Sequence, residues 1–257
     1  MTVALIYHDV VAASRQDECG FPGAVAARYK LDPERFEAHL DAIAATGVTV
    51  GGIGDGSQAA LTFDDGGASA LDAAQALERR GWHGHFFITT GRVDTPGFLT
   101  ATQVRELADR GHTVGSHSHS HPTYMGSLSA AELATEWQSS REALAQILGA
   151  APDSAAVPGG FLSRDVIAEA AHAGYRLLLT SQPTTKASSH QGMRVHGRFT
   201  IWAATTPARA AAYARADRRA RASLWIAWQA KTAPKRISPS AYEALRRRWA
   251  RRRQVTR

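Results

Sequence analysis

The sequence has little of what would tie it to a membrane or to an oxidising compartment. Cys19 is the one cysteine in 257 residues, so no internal disulfide can form and stability must come from packing. No apolar run reaches the roughly 18 residues that a bilayer-spanning helix needs. The opening residues, Met1 to His8, lack a basic stretch, a long apolar core and a cleavage site. They read as a first strand, which makes the expected location cytoplasmic. Acidic residues run short in one region only. From Thr205 onward 13 Arg and 2 Lys face Asp217 and Glu243, a net of +13, whereas the first 204 residues hold 15 basic and 21 acidic side chains, a net of −6. Body and tail therefore need separate explanations.

What is present is ordinary globular composition, 44% hydrophobic and 21% charged, in a length that suits one barrel-sized domain or two smaller ones. Strand-like runs fall at Val3–Tyr7, Val48–Val50, Ala59–Phe63, His85–Ile88, Thr113–Ser116, Ser154–Val157, Tyr175–Thr180 and Met193–Trp202. Most are separated by helical patterns with recognisable ends. Asp32 with Pro33 starts the first helix. Thr100 with Gln103 and Ser129 with Glu132 form capping boxes, and Gly81, Gly111, Gly149 and Gly174 stop helices. Alternating strands and helices predict an α/β fold with a parallel sheet, either closed into a barrel or open and doubly wound. Either closure gathers the residues that follow the strands on one rim.

Two stretches on that expected rim carry chemistry. Thr62-Phe63-Asp64-Asp65-Gly66 sets two carboxylates after a strand, and His117-Ser118-His119-Ser120-His121 repeats imidazole at every other position before Pro122. A carboxylate and two neutral imidazoles are a ligand set that zinc or another divalent ion accepts while leaving room for water. Asp65, His117 and His121 fit that set if the chain turns after His117, and Asp64 is then a spare base. Taken singly, Asp-Asp after a strand also reads as a turn or cap, and a His-rich loop as a solvated one.

The two stretches resemble the first two motifs of the polysaccharide deacetylases, carbohydrate esterase family 4 with its NodB-homology domain. Leu5-Ile6-Tyr7-His8, Phe36 with His39-Leu40, His85-Phe86-Phe87-Ile88-Thr89 and Pro158-Gly159-Gly160 extend the resemblance over roughly residues 3 to 200. It implies a distorted (β/α)7-8 barrel, one divalent metal ion, usually Zn2+, and removal of N-acetyl or O-acetyl groups from sugars. By motif position Asp64 is the catalytic base, and Asp65, His117 and His121 are the metal ligands. The later motifs depart from the pattern. Ala156 stands where the third motif has the arginine that positions the base, and no supporting aspartate follows Tyr175–Thr180. Arg198 is a candidate replacement. His196 is the candidate general acid, with His190 as a rival. His8 is assigned to the substrate pocket, and the backbone of Pro158, Gly159 and Gly160 to the developing oxyanion.

The expected division is a deacetylase barrel over residues 1–204 and a basic helical extension over 205–257. Within the extension, one helix carries Leu224-Trp225-Ile226-Ala227-Trp228, with Trp225 and Trp228 expected in the core. A second is expected from Pro239, with Arg246-Arg247-Arg248 and Arg251-Arg252-Arg253 around Trp249. The expected partner is an N-acetylated glycan or glycan precursor of cell-surface or exopolysaccharide metabolism. The basic helices could also meet an anionic membrane face, with nucleic acid the less favoured polyanion. Two other functions fit the same residues: a carbohydrate-binding protein that has lost catalysis, or a membrane- or nucleic-acid-associated protein acting through its tail.

Overall fold

The computed structural model describes residues 2–160, 162–190 and 192–237. Among the described residues nine strands form one sheet: β1 (Val3–Tyr7), β2 (Ala59–Phe63), β3 (His85–Ile88), β4 (Thr113–Ser116), β5 (Ser154–Ala156), β6 (Leu177–Leu179), β7 (Ser188–His190), β8 (Met193–His196) and β9 (Arg198–Thr200). Seven α-helices of the described residues surround it: α1 (Pro33–Ala44), α2 (Ala70–Glu78), α3 (Ala101–Asp109), α4 (Ala130–Leu148), α5 (Arg164–His172), α6 (Pro207–Ala214) and α7 (Arg218–Ile237). The sheet order is β7-β8-β6-β5-β4-β3-β2-β1-β9. Every pair is parallel except β7 with β8.

The order contains the closure. β8 pairs with β6 and β9 with β1, yet only Gly197 separates β8 from β9 in the chain. One continuous segment thus bridges the two ends of the sheet and shuts it into an α/β barrel of seven parallel staves, with β7 as an antiparallel flap. The single strand expected over Met193–Trp202 is instead two strands broken at Gly197. A β-carbon there would come within 2.4 Å of the Gln182 carbonyl and 2.5 Å of the Thr184 methyl, so only glycine lets the two backbones approach this closely. The strand expected at Val48–Val50 shrinks to one bridge, Val50 with Ala59, because the Gly-rich turn that follows leaves no length to pair.

Helix ends fall where side chains satisfy the first backbone N–H groups. Asp32 caps α1, and both capping boxes close, Thr100 with Gln103 on α3 and Ser129 with Glu132 on α4. Leu5, Tyr7, Phe36, Leu40, Leu61, Phe63 and Phe86 bury the layer between strands and helices, with Phe63 stacked between Tyr7 and Phe86. Inside the barrel, Phe87, Ala156, Leu177 and Leu179 form a smaller cluster against Ile53.

Beyond residue 204, the ring of Tyr213 on α6 stacks on Phe199, and Thr205 gives its carbonyl to His39 Nε2 at 2.9 Å. On α7, Ala220 and Leu224 face the body. Trp225 and Trp228 are only half-buried and stack on each other at 5.5 Å, so the expectation that they enter the core is corrected. The Ala220–Leu224 row takes the packing face, and Trp225 sits a quarter-turn round from it. The helix expected from Pro239 lies outside the described residues. Among the described residues no helix is long and apolar enough to cross a membrane.

Candidate metal centre and active site

Strand ends deliver the site. β2 runs fully buried into Asp64 and Asp65, and β4 into His117. The backbone then turns sharply. Asp65, Ser118 and His121 all adopt left-handed conformations, at φ 79°, 62° and 59°. Such φ values cost a non-glycine residue energy and persist where surrounding structure enforces them. Here Thr89 N–H donates to the Asp65 carbonyl at 3.2 Å, and His121 N–H to Ser118 Oγ at 3.1 Å. Glu136 on α4 accepts from the N–H groups of His119 and Ser120 at 3.0 and 2.8 Å and from the Ser120 hydroxyl at 2.5 Å.

These turns bring three ligand atoms together. Asp65 Oδ1 lies 3.4 Å from His117 Nε2 and 3.3 Å from His121 Nε2, and one donor atom from each residue lies within 4.8 Å of the others. His117 Nδ1 is 2.9 Å from the Ala156 carbonyl. That bond sets the proton on Nδ1 and turns the Nε2 lone pair towards Asp65. Ala156, which stands where the third motif of the resembling family has an arginine, thus contributes its backbone carbonyl. Asp65 Oδ1 is buried and receives no hydrogen bond of normal geometry. A buried carboxylate facing two imidazole nitrogens is a donor set that suits a divalent ion.

The two carboxylates dominate the electrostatics of the cluster. Burial alone would raise the pKa of Asp65, but the imidazoles of His117 and His121 and the charge of His8 hold it well below the usual range. Burial pushes His117 towards neutrality, yet Asp64 and Asp65 outweigh it and raise its pKa. Asp64 is likewise lowered despite burial, chiefly by Arg198.

Arg198 reaches up from β9 through the barrel interior. Its Nη1 and Nη2 donate to Asp64 Oδ1 and Oδ2 at 2.6 and 2.8 Å, with further bonds to Thr62 Oγ1 at 3.0 Å and the Thr180 carbonyl at 3.3 Å. The guanidinium is 1% exposed, so this fork is geometrically fixed and dry.

The remaining expected residues separate. His8 follows β1 and acts on both carboxylates through its charge; its Nδ1 is buried without a partner, and its ring rests on Tyr29 at 4.7 Å. His196 is not brought to the site. Its Nδ1 meets the Gly197 carbonyl at 2.7 Å, and the ring also bonds the backbone of Thr2, which precedes β1 at the barrel end opposite Asp64. Burial lowers its pKa. His190 is exposed on β7. Within Pro158–Gly160 both glycines are left-handed, and the Gly160 N–H is already given to the Val157 carbonyl at 2.9 Å. A β-carbon on Gly160 would strike Ser181.

Sequence reasoning missed one cluster. Asp9 and Lys30 form a buried pair at 3.6 Å, and Asp9 also accepts from Cys19 Sγ and Ser69 Oγ at 3.3 and 3.2 Å. The Lys30 ammonium donates to the carbonyls of Gln16, Cys19 and Phe21. Burial raises the Asp9 pKa, and Asp65 adds to the effect. This staple fixes the loop that lays Phe21 on the ring of His121 at 4.6 Å. Its only signal in the sequence was a charged residue beside His8.

Comparison with known proteins follows the same lines. Residues 52–178 match the family model described as polysaccharide deacetylase. Among solved structures the chain is similar to BC0361, a polysaccharide deacetylase from Bacillus cereus, at 21% identity over 83% of this chain and 68% of that one, with a TM-score of 0.71. It is similar to IcaB from Ammonifex degensii at 21% identity, covering 83% and 97%, TM-score 0.66. The Streptococcus pyogenes deacetylase PplD, solved in complex with acetate, is 20% identical over 80% and 94%, TM-score 0.65. No sequence among curated proteins matches the chain.

Proposed function

The chain carries a polysaccharide deacetylase domain of the NodB type, a deacetylase acting on a carbon–nitrogen bond, and on that premise we propose that it removes acetyl groups from an N-acetylated glycan with the help of a divalent metal ion. The observation that carries this reading is the convergence of Asp65, His117 and His121 beside an Asp64 clamped by Arg198. Asp65, His117 and His121 would hold the ion, most simply Zn2+. When bound, such an ion supplies Lewis-acid polarisation of the acetyl carbonyl and a lowered pKa for water.

The chain's own residues do the rest. Asp64 takes a proton from the attacking water, and Arg198 keeps it ionised and aimed at neutral pH, at some cost in basicity. His117 is held as one tautomer by Ala156. The C–N bond then breaks, acetate leaves, and the sugar nitrogen must gain a proton. His8 suits that donor role better than His196: it follows β1 and its Nδ1 has no hydrogen-bond partner, whereas His196 is bonded to the backbone of Gly197 and Thr2. Arg198 takes the orienting role that the usual third-motif arginine would have.

Acetate in complex with PplD supports the product assignment. A peripheral membrane role, with the protein on a cytoplasmic face, is supported only by α7, where Ile226 is 67% exposed on a helix whose first turn carries Arg218, Arg219 and Arg221. The test is acetate release from N-acetylglucosamine oligomers and from nucleotide- and lipid-linked N-acetyl sugars, before and after reconstitution with divalent ions. Release that needs the ion is expected. Sugar binding without release under every ion would favour a binding protein instead.

A further inference from the structure

Two aromatic walls stand beside the site, one starting at His121 and one at His8, and each ends in an exposed arginine. On one side Phe21 packs on His121, and Arg92 lies over the Phe21 ring at 5.5 Å, with Phe98 edge-on beneath at 5.1 Å. On the other, His8 leads to Tyr29, Tyr29 stacks on Trp202 at 4.6 Å, and Arg28 lies over Trp202 at 5.3 Å. Both arginines are exposed, and among the described residues neither pairs with a carboxylate.

Their placement is built. Phe21, Arg28 and Tyr29 belong to one loop, whose carbonyls Lys30 gathers and whose Arg28 carbonyl accepts from Ala203 N–H at 2.8 Å. A guanidinium resting on a ring keeps its N–H edges free for a ligand and loses less freedom on binding than a mobile side chain. Its planar fork matches carboxylate and phosphate oxygens. The sign is also notable, because the first 204 residues carry a net charge of −6 and these two cations stand at the rim against that background.

We infer that the acetylated glycan bears an anionic group, a carboxylate or a phosphate, on the reacting sugar or on a unit flanking it, and that Arg28 and Arg92 recognise it. The inference rests on the deacetylase reading for the identity of the reacting sugar. The same arginines repel the ammonium that deacetylation creates, so they favour release of the product over its retention.

The test uses the full chain as an Asp64→Asn variant, so that binding is read without turnover. Three probes are compared: a neutral N-acetylglucosamine tetramer, a hyaluronan tetrasaccharide that adds carboxylates, and N-acetylglucosamine 1-phosphate against free N-acetylglucosamine. The expected result is at least about fivefold tighter binding of one anionic probe than of its neutral counterpart, which is within the reach of two exposed ion pairs. That advantage should vanish in Arg28→Gln/Arg92→Gln and shrink in 0.5 M salt. Equal affinity for charged and neutral probes, or an advantage untouched by the double variant, would overturn the inference. Acetate release from the neutral tetramer by the unaltered protein tests the deacetylase reading separately and does not enter the comparison.

Discussion

One guanidinium, Arg198, holds both carboxylate oxygens of Asp64, at 2.6 and 2.8 Å, across 134 positions of sequence and in the dry interior of the barrel. The pair ties the strand that closes the barrel to the residue proposed as the base. Loss of one partner strands the other charge, which costs about 3–5 kcal/mol for a buried pair. Arg198→Met should therefore lower stability to chemical denaturation by that order. Arg198→Lys keeps charge but not the fork, so it should fold better than the methionine variant and still lose about tenfold or more in kcat. Full activity in Arg198→Lys would show that the fork has no role in orienting Asp64.

Glu136 touches no expected ligand side chain, yet it accepts three hydrogen bonds from His119 and Ser120, inside the turn between the two left-handed residues Ser118 and His121. Partners that orient metal ligands are worth about 10–100-fold in affinity. Glu136→Ala should weaken Zn2+ binding by roughly tenfold, read by competition with a chelator, with little change in the circular dichroism spectrum. Unchanged affinity would mean that Ser118 and Thr89 suffice to hold the turn.

His85 is buried under the barrel floor, where its Nε2 accepts from the Ile53 N–H at 3.2 Å and burial lowers its pKa to about 4. In the unfolded chain the imidazole takes up its proton near pH 6.5, whereas in the folded protein it does so only near pH 4. The unfolded state thus binds more protons across that window, and stability falls as pH drops from about 6.5 towards 4, by up to about 3 kcal/mol from this group. His39, His112 and His196 are lowered too and add in the same direction. Urea unfolding at pH 7 and pH 4.5 should show a smaller loss in His85→Gln than in the unaltered protein. The same loss in both would remove His85 as a cause.

The Asp9–Lys30 pair predicts a rescue. Lys30→Met leaves Asp9 buried without its cation and should destabilise by about 3–5 kcal/mol, while Asp9→Asn/Lys30→Met should recover part of that loss. No recovery in the double variant would mean that the three carbonyls bound by Lys30, and not Asp9, carry the energy.

Much of this architecture is legible locally. Caps at Asp32, Thr100 and Ser129 and the alternation of strand and helix announce a parallel α/β chain, because each is a short-range pattern. The convergence of Asp65, His117 and His121 could be anticipated for a similar reason: Asp65 follows β2 and the two histidines follow β4, strands of one parallel sheet with only β3 between them. The rest depends on closure. Arg198 and His196 stand two residues apart with the same local look, and only the break at Gly197 and the pairing of β9 with β1 send one to Asp64 and the other to Thr2. The Lys30 staple and the rings around Tyr29 lie in an aperiodic loop, where no pattern of hydrophobicity speaks for position. Tertiary approach decides such residues, and sequence spacing does not encode it.

The most direct test compares acetate release and metal content in the unaltered protein and in Asp64→Asn, each reconstituted with Zn2+ and assayed on an N-acetylglucosamine tetramer. The expected result is acetate from the unaltered protein, a loss of at least about a hundredfold in the variant, and near-equal metal content in both. Full acetate release from Asp64→Asn at equal metal content would contradict the assignment of Asp64 as the base.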